Sequence, residues 1–211
     1  MSRRSKAGGS WFTVLLLVAA VAVWVFNAIQ DQSPAPLEAS NYEKFPESTL
    51  VEARNNDGDS FMVRLPDGRE AEFRLYFVDA PESAFKSYRG GQTNHERIRG
   101  QAADLDVSTG EAVEIGKQAK KYTLEVLGAR PFEVFTRWDS PFKDGRYHAF
   151  IRMTDDGKPR WLHEQLVRRG LARIKTKPAD FPDGTPAADG LERLRELERE
   201  AKRVGAGAWA R

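Results

Sequence analysis

The sequence predicts an α+β domain: a small, closed, five-stranded β-barrel with about three packed helices, preceded by one N-terminal hydrophobic helix. Three observations support this prediction. Short runs rich in β-branched and aromatic residues alternate with turn signals, which is typical of a small barrel. Longer stretches repeat apolar residues at helical spacing. A single uncharged apolar run near the N-terminus is long enough to cross a bilayer as a helix.

The strand-like runs contain the residues that suit a half-buried pleated surface. The second and third runs flank Pro66-Asp67-Gly68, whose proline and glycine favour a tight turn and therefore a hairpin. A fifth run is followed by another turn and a short return to Trp161. In chain order the predicted strands are 49–54, 61–65, 73–78, 131–138 and 147–154.

Three helices are predicted between and after the strands, over 108–128, 161–169 and 185–204. Ser108 and Glu111 have the spacing of a capping box, and Gly128 is expected to end that helix as a left-handed cap. Gly170 is expected to close the second helix. In the third helix, a stripe of apolar residues at helical spacing is interpreted as core packing. The stripe consists of Leu191, Leu194, Leu197, Ala201 and Val204.

The N-terminal segment has the charge pattern of a membrane anchor. Basic residues precede an uncharged stretch that runs from Ala7 to Gln30. We therefore expect a cytoplasmic N-terminus over 1–10 and a transmembrane helix or signal anchor over 11–30. A cleaved signal peptide shares this layout, but the small residues that its cleavage site needs are poorly placed here. Both interpretations put the domain outside the cytoplasm, either anchored to the membrane or secreted.

A proline-rich linker is predicted over 31–47, followed by the globular domain over 48–211. From residue 32 onward, 30 basic residues balance 30 acidic ones, so bulk charge does not indicate a nucleic-acid-binding domain. Any affinity for phosphate must come from local clusters of charge. The absence of cysteine excludes a disulfide framework and a cysteine-based zinc site. We expect the domain to be monomeric.

Acidic residues at both ends of the predicted hairpin suggest a shared site. Folding the hairpin brings Asp59 near Asp79, with Arg74 beside them. Carboxylate oxygens suit a hard cation such as Ca²⁺, and a guanidinium group suits a phosphate. The alternative is that Asp57 and Asp59 are solvated turn residues and Arg74 a solvent-facing strand residue. Strict alternation puts Arg74 and Asp79 on opposite faces, so a shared site requires a bend, which Pro81 favours.

Three segments together resemble the signature of the staphylococcal nuclease (thermonuclease) family. They are DGD at 57–59, FRLYFVDAPE at 73–82 and DGRYHAFI at 144–151. The similarity extends from about residue 51 to the C-terminus, with a longer insertion than usual, over 83–110. The resemblance implies an OB-type barrel and Ca²⁺-dependent hydrolysis of DNA or RNA to products with 3′-phosphate ends.

The resemblance also implies a set of metal ligands. Asp59 and Asp79 match the calcium carboxylates, and Ala80 matches a position that offers its backbone carbonyl to the ion. Asp57 matches a carboxylate that contacts the ion only through water.

The catalytic residues implied by the resemblance are two arginines and one acid. Arg74 and Arg146 match the arginines that clamp the phosphate. Glu82 matches the acid that activates or orients the attacking water. Without the resemblance, Arg146 is equally well explained as an exposed residue of the D-G turn before it.

Contacts to substrate beyond the phosphate are less defined by the sequence. Between residues 165 and 179 the chain has basic residues and no acid, which suits either a track for a nucleic-acid backbone or a solvated helix end. The family often has tyrosines just after this helix, whereas this chain has none, and Phe181 is a candidate to stack on a base instead. The basic residues are Arg168, Arg169, Arg173, Lys175 and Lys177.

The insertion and the overall function each have competing interpretations. Ile98, Ala102 and Leu105 can face inward on a short helix of the insertion, which is either a lid over the substrate groove or a surface elaboration. For the whole chain, the main hypothesis is an extracytoplasmic Ca²⁺-dependent nuclease. The alternatives are a catalytically silent, membrane-tethered nucleic-acid-binding module and a tethered protein-interaction module.

Overall fold

A computed structural model describes residues 41–141, 143–155 and 157–210. The strands are β1 (Glu43–Leu50), β2 (Ser60–Arg64), β3 (Glu70–Leu75), β4 (Val78–Asp79), β5 (Phe132–Thr136), β6 (Tyr147–Asp155), β7 (Lys158–Trp161) and β8 (Arg173–Ile174). The helices are α1 (His95–Leu105), α2 (Thr109–Gly128), α3 (Leu162–Arg168) and α4 (Ala187–Val204). The helix predicted over 11–30 lies outside these residues. Of the helices that the structure describes, none combines the length and the apolar composition needed to span a membrane.

Five of the strands close into an OB-like barrel. They pair in the order β3-β2-β1-β5-β6, and a parallel pairing of β3 with β6 joins the two ends of that order. Strand β7 extends the β6 hairpin, and β4 pairs only with β8. The predicted α+β barrel is confirmed, with four helices in the described chain instead of about three.

The first strand lies earlier than the sequence predicted. Strand β1 begins at Glu43, inside the predicted linker, and ends at Leu50, so the strand over 49–54 was placed too late. Pro46 suggested an unpaired linker because proline cannot donate to a strand ladder. The β1–β5 register shifts between Phe45 and Ser48, and this irregularity accommodates the proline within the strand.

The helices largely follow their sequence signals. The capping box at Ser108 and Glu111 is present, and Ile98, Ala102 and Leu105 are buried along α1 as expected. The left-handed cap predicted at Gly128 was wrong. This glycine is the last residue of α2, and Ala129 follows it in a right-handed conformation.

In α4 the apolar stripe is shorter than predicted. Leu194, Leu197 and Ala201 are buried, but the side chain of Val204 is largely exposed in the last turn. Ion pairs between residues three or four positions apart lie on the exposed face of this helix.

The core contains a histidine that lies among aromatic rings. His163, on α3, is fully buried, stacks on Phe77 and contacts Phe150 and Phe181. Neither of its ring nitrogens has a hydrogen-bond partner among the described residues. Burial therefore lowers the pKa of His163 to about 3, with the positive charge of Arg193 adding to this effect.

This buried histidine should make the fold sensitive to acid. In the unfolded chain His163 becomes protonated below about pH 6.5. In the folded protein it stays neutral down to about pH 3. This residue should thus lower the free energy of unfolding by up to about 1.4 kcal/mol per pH unit as the pH falls through that window. We expect His163→Phe to flatten that slope in urea unfolding series between pH 4 and 7. The exposed His95, changed to Gln, is the control, and an unchanged slope in His163→Phe would contradict this account.

Candidate active site

Asp59 and Asp79 converge on one buried arginine. Arg74 Nη2 donates to Asp59 Oδ2 at 3.2 Å and to Asp79 Oδ1 at 2.5 Å. All three side chains are almost completely buried. The predicted meeting of the two acidic residues beside Arg74 is therefore present, and their interpretation as solvated surface residues is excluded by their burial.

A break in the third strand makes this convergence possible. The strand predicted over 73–78 ends at Leu75, and Phe77 then has a φ of 67°, in the left-handed region. The carbonyl oxygen of Phe77 accepts hydrogen bonds from the N–H groups of Lys175 and Thr176, and these bonds hold this unusual conformation. The bend therefore lies at Phe77, before Pro81, and it turns Asp79 toward Arg74.

Asp79 has more partners than the sequence suggested. Its Oδ1 also accepts from Arg97 Nη2 at 2.7 Å, and its Oδ2 accepts from Arg173 Nε at 2.9 Å and from Gln101 Nε2 at 3.0 Å. Although burial raises the pKa of Asp79, these partners and Arg74 outweigh it and hold the pKa below its ordinary value. Asp79 is thus a carboxylate surrounded by three guanidinium groups.

The negative charges of Asp59 and Asp57 are less fully balanced by neighbouring positive groups. Burial raises the pKa of Asp59 to about 6, and the charge of Asp79 adds to this rise while Arg74 opposes it. Burial likewise raises the pKa of Asp57, and the nearby charge of Glu82 contributes. This end of the site therefore holds negative charge that the protein only partly neutralises.

Glu82 is held in place by the insertion. Arg97 Nε lies 2.9 Å from its Oε1, Asn94 Nδ2 donates to its Oε2 at 3.2 Å, and its backbone N–H donates to Gln101 Oε1 at 2.9 Å. Helix α2 packs closely on the same segment. A Cβ at Gly116 would lie 2.5 Å from the carbonyl oxygen of Glu82, so only glycine permits this approach.

Asp57, Asp59 and Glu82 line one polar pocket of about 260 Å³. Arg146 lines it, with Nη1 3.4 Å from Ser60 Oγ, while its Nε also donates to Asp144 at 3.0 Å. Arg74 and Asp79 do not line the pocket, so its guanidinium groups are those of Arg97 and Arg146. The lining residues are Asn55, Asp57, Asp59, Ser60, Glu72, Glu82, Lys86, Tyr88, Arg97 and Arg146.

The oxygen donors of the pocket suit a hard divalent cation in part. Asp57 and Asp59 contribute carboxylates whose charge is incompletely balanced, which is the condition that a bound cation relieves. Within the described chain, however, no three Asp, Glu or His side chains come close enough together to hold an ion by themselves. The protein's donors at Asp57 and Asp59 would need water or substrate oxygens to complete the coordination.

Two further ligands implied by the family resemblance have other roles in this structure. Both oxygens of Asp79 already accept two hydrogen bonds each, which uses the lone pairs that a metal ion would need. The carbonyl oxygen of Ala80 accepts from Gln101 Nε2 at 3.1 Å. In this structure α1 brings hydrogen-bond donors to Asp79 and Ala80, and their assignment as metal ligands stays a prediction.

The basic residues after α3 have acidic partners in this structure. Arg173 is paired with Asp79 and Asp104, Lys175 Nζ lies 3.2 Å from Asp104, and Lys177 Nζ lies 2.7 Å from Asp139. Acidic residues from distant segments of the chain thus balance the positive charge of these residues. The local sequence gave no sign of these pairings.

The proposed stacking role of Phe181 was wrong. Its side chain is buried among Phe77, Phe150 and Trp161, so it is not available to a nucleotide base. Its contacts show that it belongs to the same aromatic core as His163.

Sequence reasoning missed Asn94, Arg97 and Gln101 as site residues. One signal was present: Gln101 shares the inward face of α1 with Ile98 and Leu105, at spacings of three and four residues. A polar residue on an otherwise apolar face requires a polar partner, and here the partners are Asp79, Ala80 and Glu82.

No protein-family model matches this sequence, and no curated protein shows significant similarity to it. The resemblance to the staphylococcal nuclease family therefore rests on the three segments quoted above.

The raised pKa of Asp59 predicts that removing its charge stabilises the fold. The unfolded group titrates near 3.9, so the folded state binds an extra proton up to about pH 6 and stability falls as the pH rises through that window. In EGTA, we expect Asp59→Asn to raise the free energy of unfolding at pH 7.5 by on the order of 1–2 kcal/mol. At pH 4 the two proteins should be nearly equal, as measured by urea unfolding.

The matched control for this substitution is Asp67→Asn, in the exposed β2–β3 turn. Its hydrogen bonds from Arg69 lower the pKa of Asp67, so neutralising it should not stabilise the protein at pH 7.5. A loss of stability in Asp59→Asn at pH 7.5 would mean that Arg74 more than offsets the cost of burying this carboxylate.

Proposed function

We propose that this protein is a thermonuclease-like phosphodiesterase that cuts DNA or RNA. The observation that carries the proposal is the polar pocket in which Glu82 faces Arg97 and Arg146, next to Asp59. A phosphodiester resists attack because its oxygens are already negative, and a site that hydrolyses it must supply cationic donors and a group that accepts a proton. This pocket contains both.

Arg146 and Arg97 are the groups that would bind the phosphate. A guanidinium fork can donate two parallel hydrogen bonds to a phosphate, which an ammonium group cannot do. Each arginine has a carboxylate partner in the free protein: Asp144 for Arg146, and Asp79 with Glu82 for Arg97. A bound phosphate would replace Asp144 as the partner of Arg146, whereas Arg97 would keep its contacts with Asp79 and Glu82 and donate to the phosphate from its other N–H groups.

Arg74 would act indirectly in this mechanism. It is buried between Asp59 and Asp79, outside the pocket lining, and so would fix the two acids instead of clamping the phosphate itself. This assignment differs from the direct contact that the family resemblance implies.

Glu82 would accept the proton of the attacking water. The new bond forms between the water oxygen and phosphorus, and the bond from phosphorus to the 5′ oxygen breaks. The 5′ oxygen leaves as an alkoxide and takes up a proton from solvent, so the products have a 3′-phosphate and a 5′-hydroxyl. Contacts from Arg97 and Asn94 hold the Glu82 carboxylate at the pocket, and this positioning lowers the entropic cost of the reaction. Hydrogen bonds from Arg146 would stabilise the charge that develops on the phosphate oxygens.

Asp57 and Asp59 would hold a Ca²⁺ ion. When bound, this ion would add positive charge against the phosphate and help to orient it. The same proposal includes nucleic acid as the partner and an extracytoplasmic location, membrane-anchored or secreted, which the N-terminal sequence suggests.

A catalytically silent nucleic-acid-binding module is the second candidate. The observation that favours it is the extent of pairing in the site: both oxygens of Glu82 and both oxygens of Asp79 already have partners. A binding module needs balanced charges of this kind, but it does not need an acid positioned at the pocket.

Loss of Ca²⁺ or of the Glu82 carboxylate should abolish cleavage. We expect the full-length protein to cut plasmid DNA or RNA in Ca²⁺ and to lose this activity in excess EGTA. Glu82→Gln keeps the size of the side chain but removes its basicity, and should lower kcat by at least about 100-fold. Cleavage that persists in EGTA would contradict the metal assignment. Binding without cleavage in either protein would favour the silent module.

Cleavage should require the paired N–H donors of the Arg146 guanidinium group and not only its positive charge. Arg146→Lys keeps the positive charge but loses the paired donors, and we expect kcat to fall by about 100-fold or more. Arg64→Lys, at an exposed ion pair with Glu70 on the hairpin, is the matched control and should cleave like the unmodified protein. Equal activity in Arg146→Lys would show that Arg146 contributes only long-range charge.

A further inference from the structure

The insertion supplies an aromatic wall to the polar pocket. Tyr88 lines the pocket from a short closed turn, in which its N–H donates to Gln92 O at 2.8 Å and its carbonyl oxygen accepts from Gly91 N at 3.3 Å. Next to this turn, Ser87 and Thr93 pair as an isolated antiparallel bridge. The tyrosine ring is therefore presented by a defined backbone.

The ring of Tyr88 is accessible, in contrast to most of the large apolar and aromatic side chains. It is 50% exposed, and in the described chain only Phe85 and Val204 are other large hydrophobic residues of comparable exposure. Neither of these two lines the pocket. Phe85 instead packs edge-on against His95, with ring centroids 5.2 Å apart.

Three cations share the pocket with this ring. Lys86 is two residues from Tyr88 on the same segment, Arg97 comes from α1, and Arg146 comes from the turn just before β6. An accessible aromatic face beside cationic groups is the combination that binds single-stranded nucleic acids: the cations contact the backbone and the ring stacks on a base.

The turn is connected to the proposed catalytic acid. Asn94 Oδ1 accepts from Lys86 N at 2.7 Å, and Asn94 Nδ2 donates to Ala84 O at 2.9 Å and to Glu82 Oε2 at 3.2 Å. The side chain of Asn94 is buried, so these contacts are shielded from water. A base that stacks on Tyr88 would therefore place its own phosphate close to Glu82.

We propose that Tyr88 stacks on the base next to the phosphate that is cut, and that the substrate is consequently an unpaired strand. This inference rests on the proposed function and specifies its substrate class. Both faces of a base inside a duplex are covered by neighbouring base pairs, whereas a single strand can offer one face to a protein ring. The insertion would thus select single-stranded or locally unpaired DNA or RNA.

Binding measurements on a non-cleaving background separate the stacking contact from catalysis. The full-length Glu82→Gln protein is titrated against a fluorescein-labelled single-stranded oligonucleotide, followed by anisotropy. A second probe has the same backbone with abasic nucleosides, and a third is the corresponding duplex. Tyr88→Ala and Tyr88→Phe are compared in this background, with Phe85→Ala as the control for loss of an exposed aromatic residue outside the pocket.

Loss of a stacked base predicts a selective effect. We expect Tyr88→Ala to raise the Kd for the single strand by about 5- to 150-fold, since alanine substitution at such contacts costs about 1–3 kcal/mol. Tyr88→Phe should bind within about twofold of the Tyr88 protein, because it keeps the ring. On the abasic probe, Tyr88→Ala should have no effect, and Phe85→Ala should leave all three Kd values unchanged. The duplex should bind more weakly than the single strand.

Two results would overturn the inference. One is an equal effect of Tyr88→Ala on the base-containing and abasic probes, and the other is no effect on either. Failure of the proposed function gives a different result: the unmodified protein would cut nothing in Ca²⁺, while the base-dependent effect of Tyr88→Ala would persist and support the stacking contact.

Discussion

The site depends on a single buried carboxylate, that of Asp79. It accepts hydrogen bonds from Arg74 on β3, from Arg97 and Gln101 on α1 and from Arg173 on β8, so three separate elements meet on two oxygen atoms. An unpaired carboxylate at this depth would be costly, and so would the buried guanidinium group of Arg74 without its acidic partners. This mutual requirement fixes the insertion against the barrel and gives the pocket one defined shape.

The same constraint explains why the insertion belongs to the site. Helix α1 contributes Arg97 and Gln101, and the turn before it contributes Tyr88, whereas α2 supports the segments on the other side. In α2, Thr123 Oγ1 donates to Gly58 O at 2.8 Å, and the glycine at 116 permits close contact with the backbone at Glu82. Within the insertion, Gln101 and Asn94 make buried polar contacts with Asp79 and Glu82, which join this segment to the pocket.

The sequence predicted local structural features well, but it did not predict the contacts and ion pairs between distant segments. The hairpin, the capping box at Ser108 and the inward face of α1 follow from turn chemistry and periodicity, which act over a few residues. The bend at Phe77 could not be predicted in this way, because its left-handed conformation is held by contacts with residues about a hundred positions later. The pairing of Arg173 with Asp79 is equally non-local. Arg97 was overlooked because a surface helix normally keeps its arginines in solvent.

The position of a bound phosphate tests the central claim most directly. A crystal structure of the full-length Glu82→Gln protein with a short single-stranded oligonucleotide and Ca²⁺ would locate it. Our account places a phosphate within hydrogen-bonding distance of the guanidinium groups of Arg97 and Arg146, beside residue 82. A strand bound elsewhere on the protein, for example in the groove between Lys175 and Arg195, with both pocket arginines still paired to their own carboxylates, would contradict it.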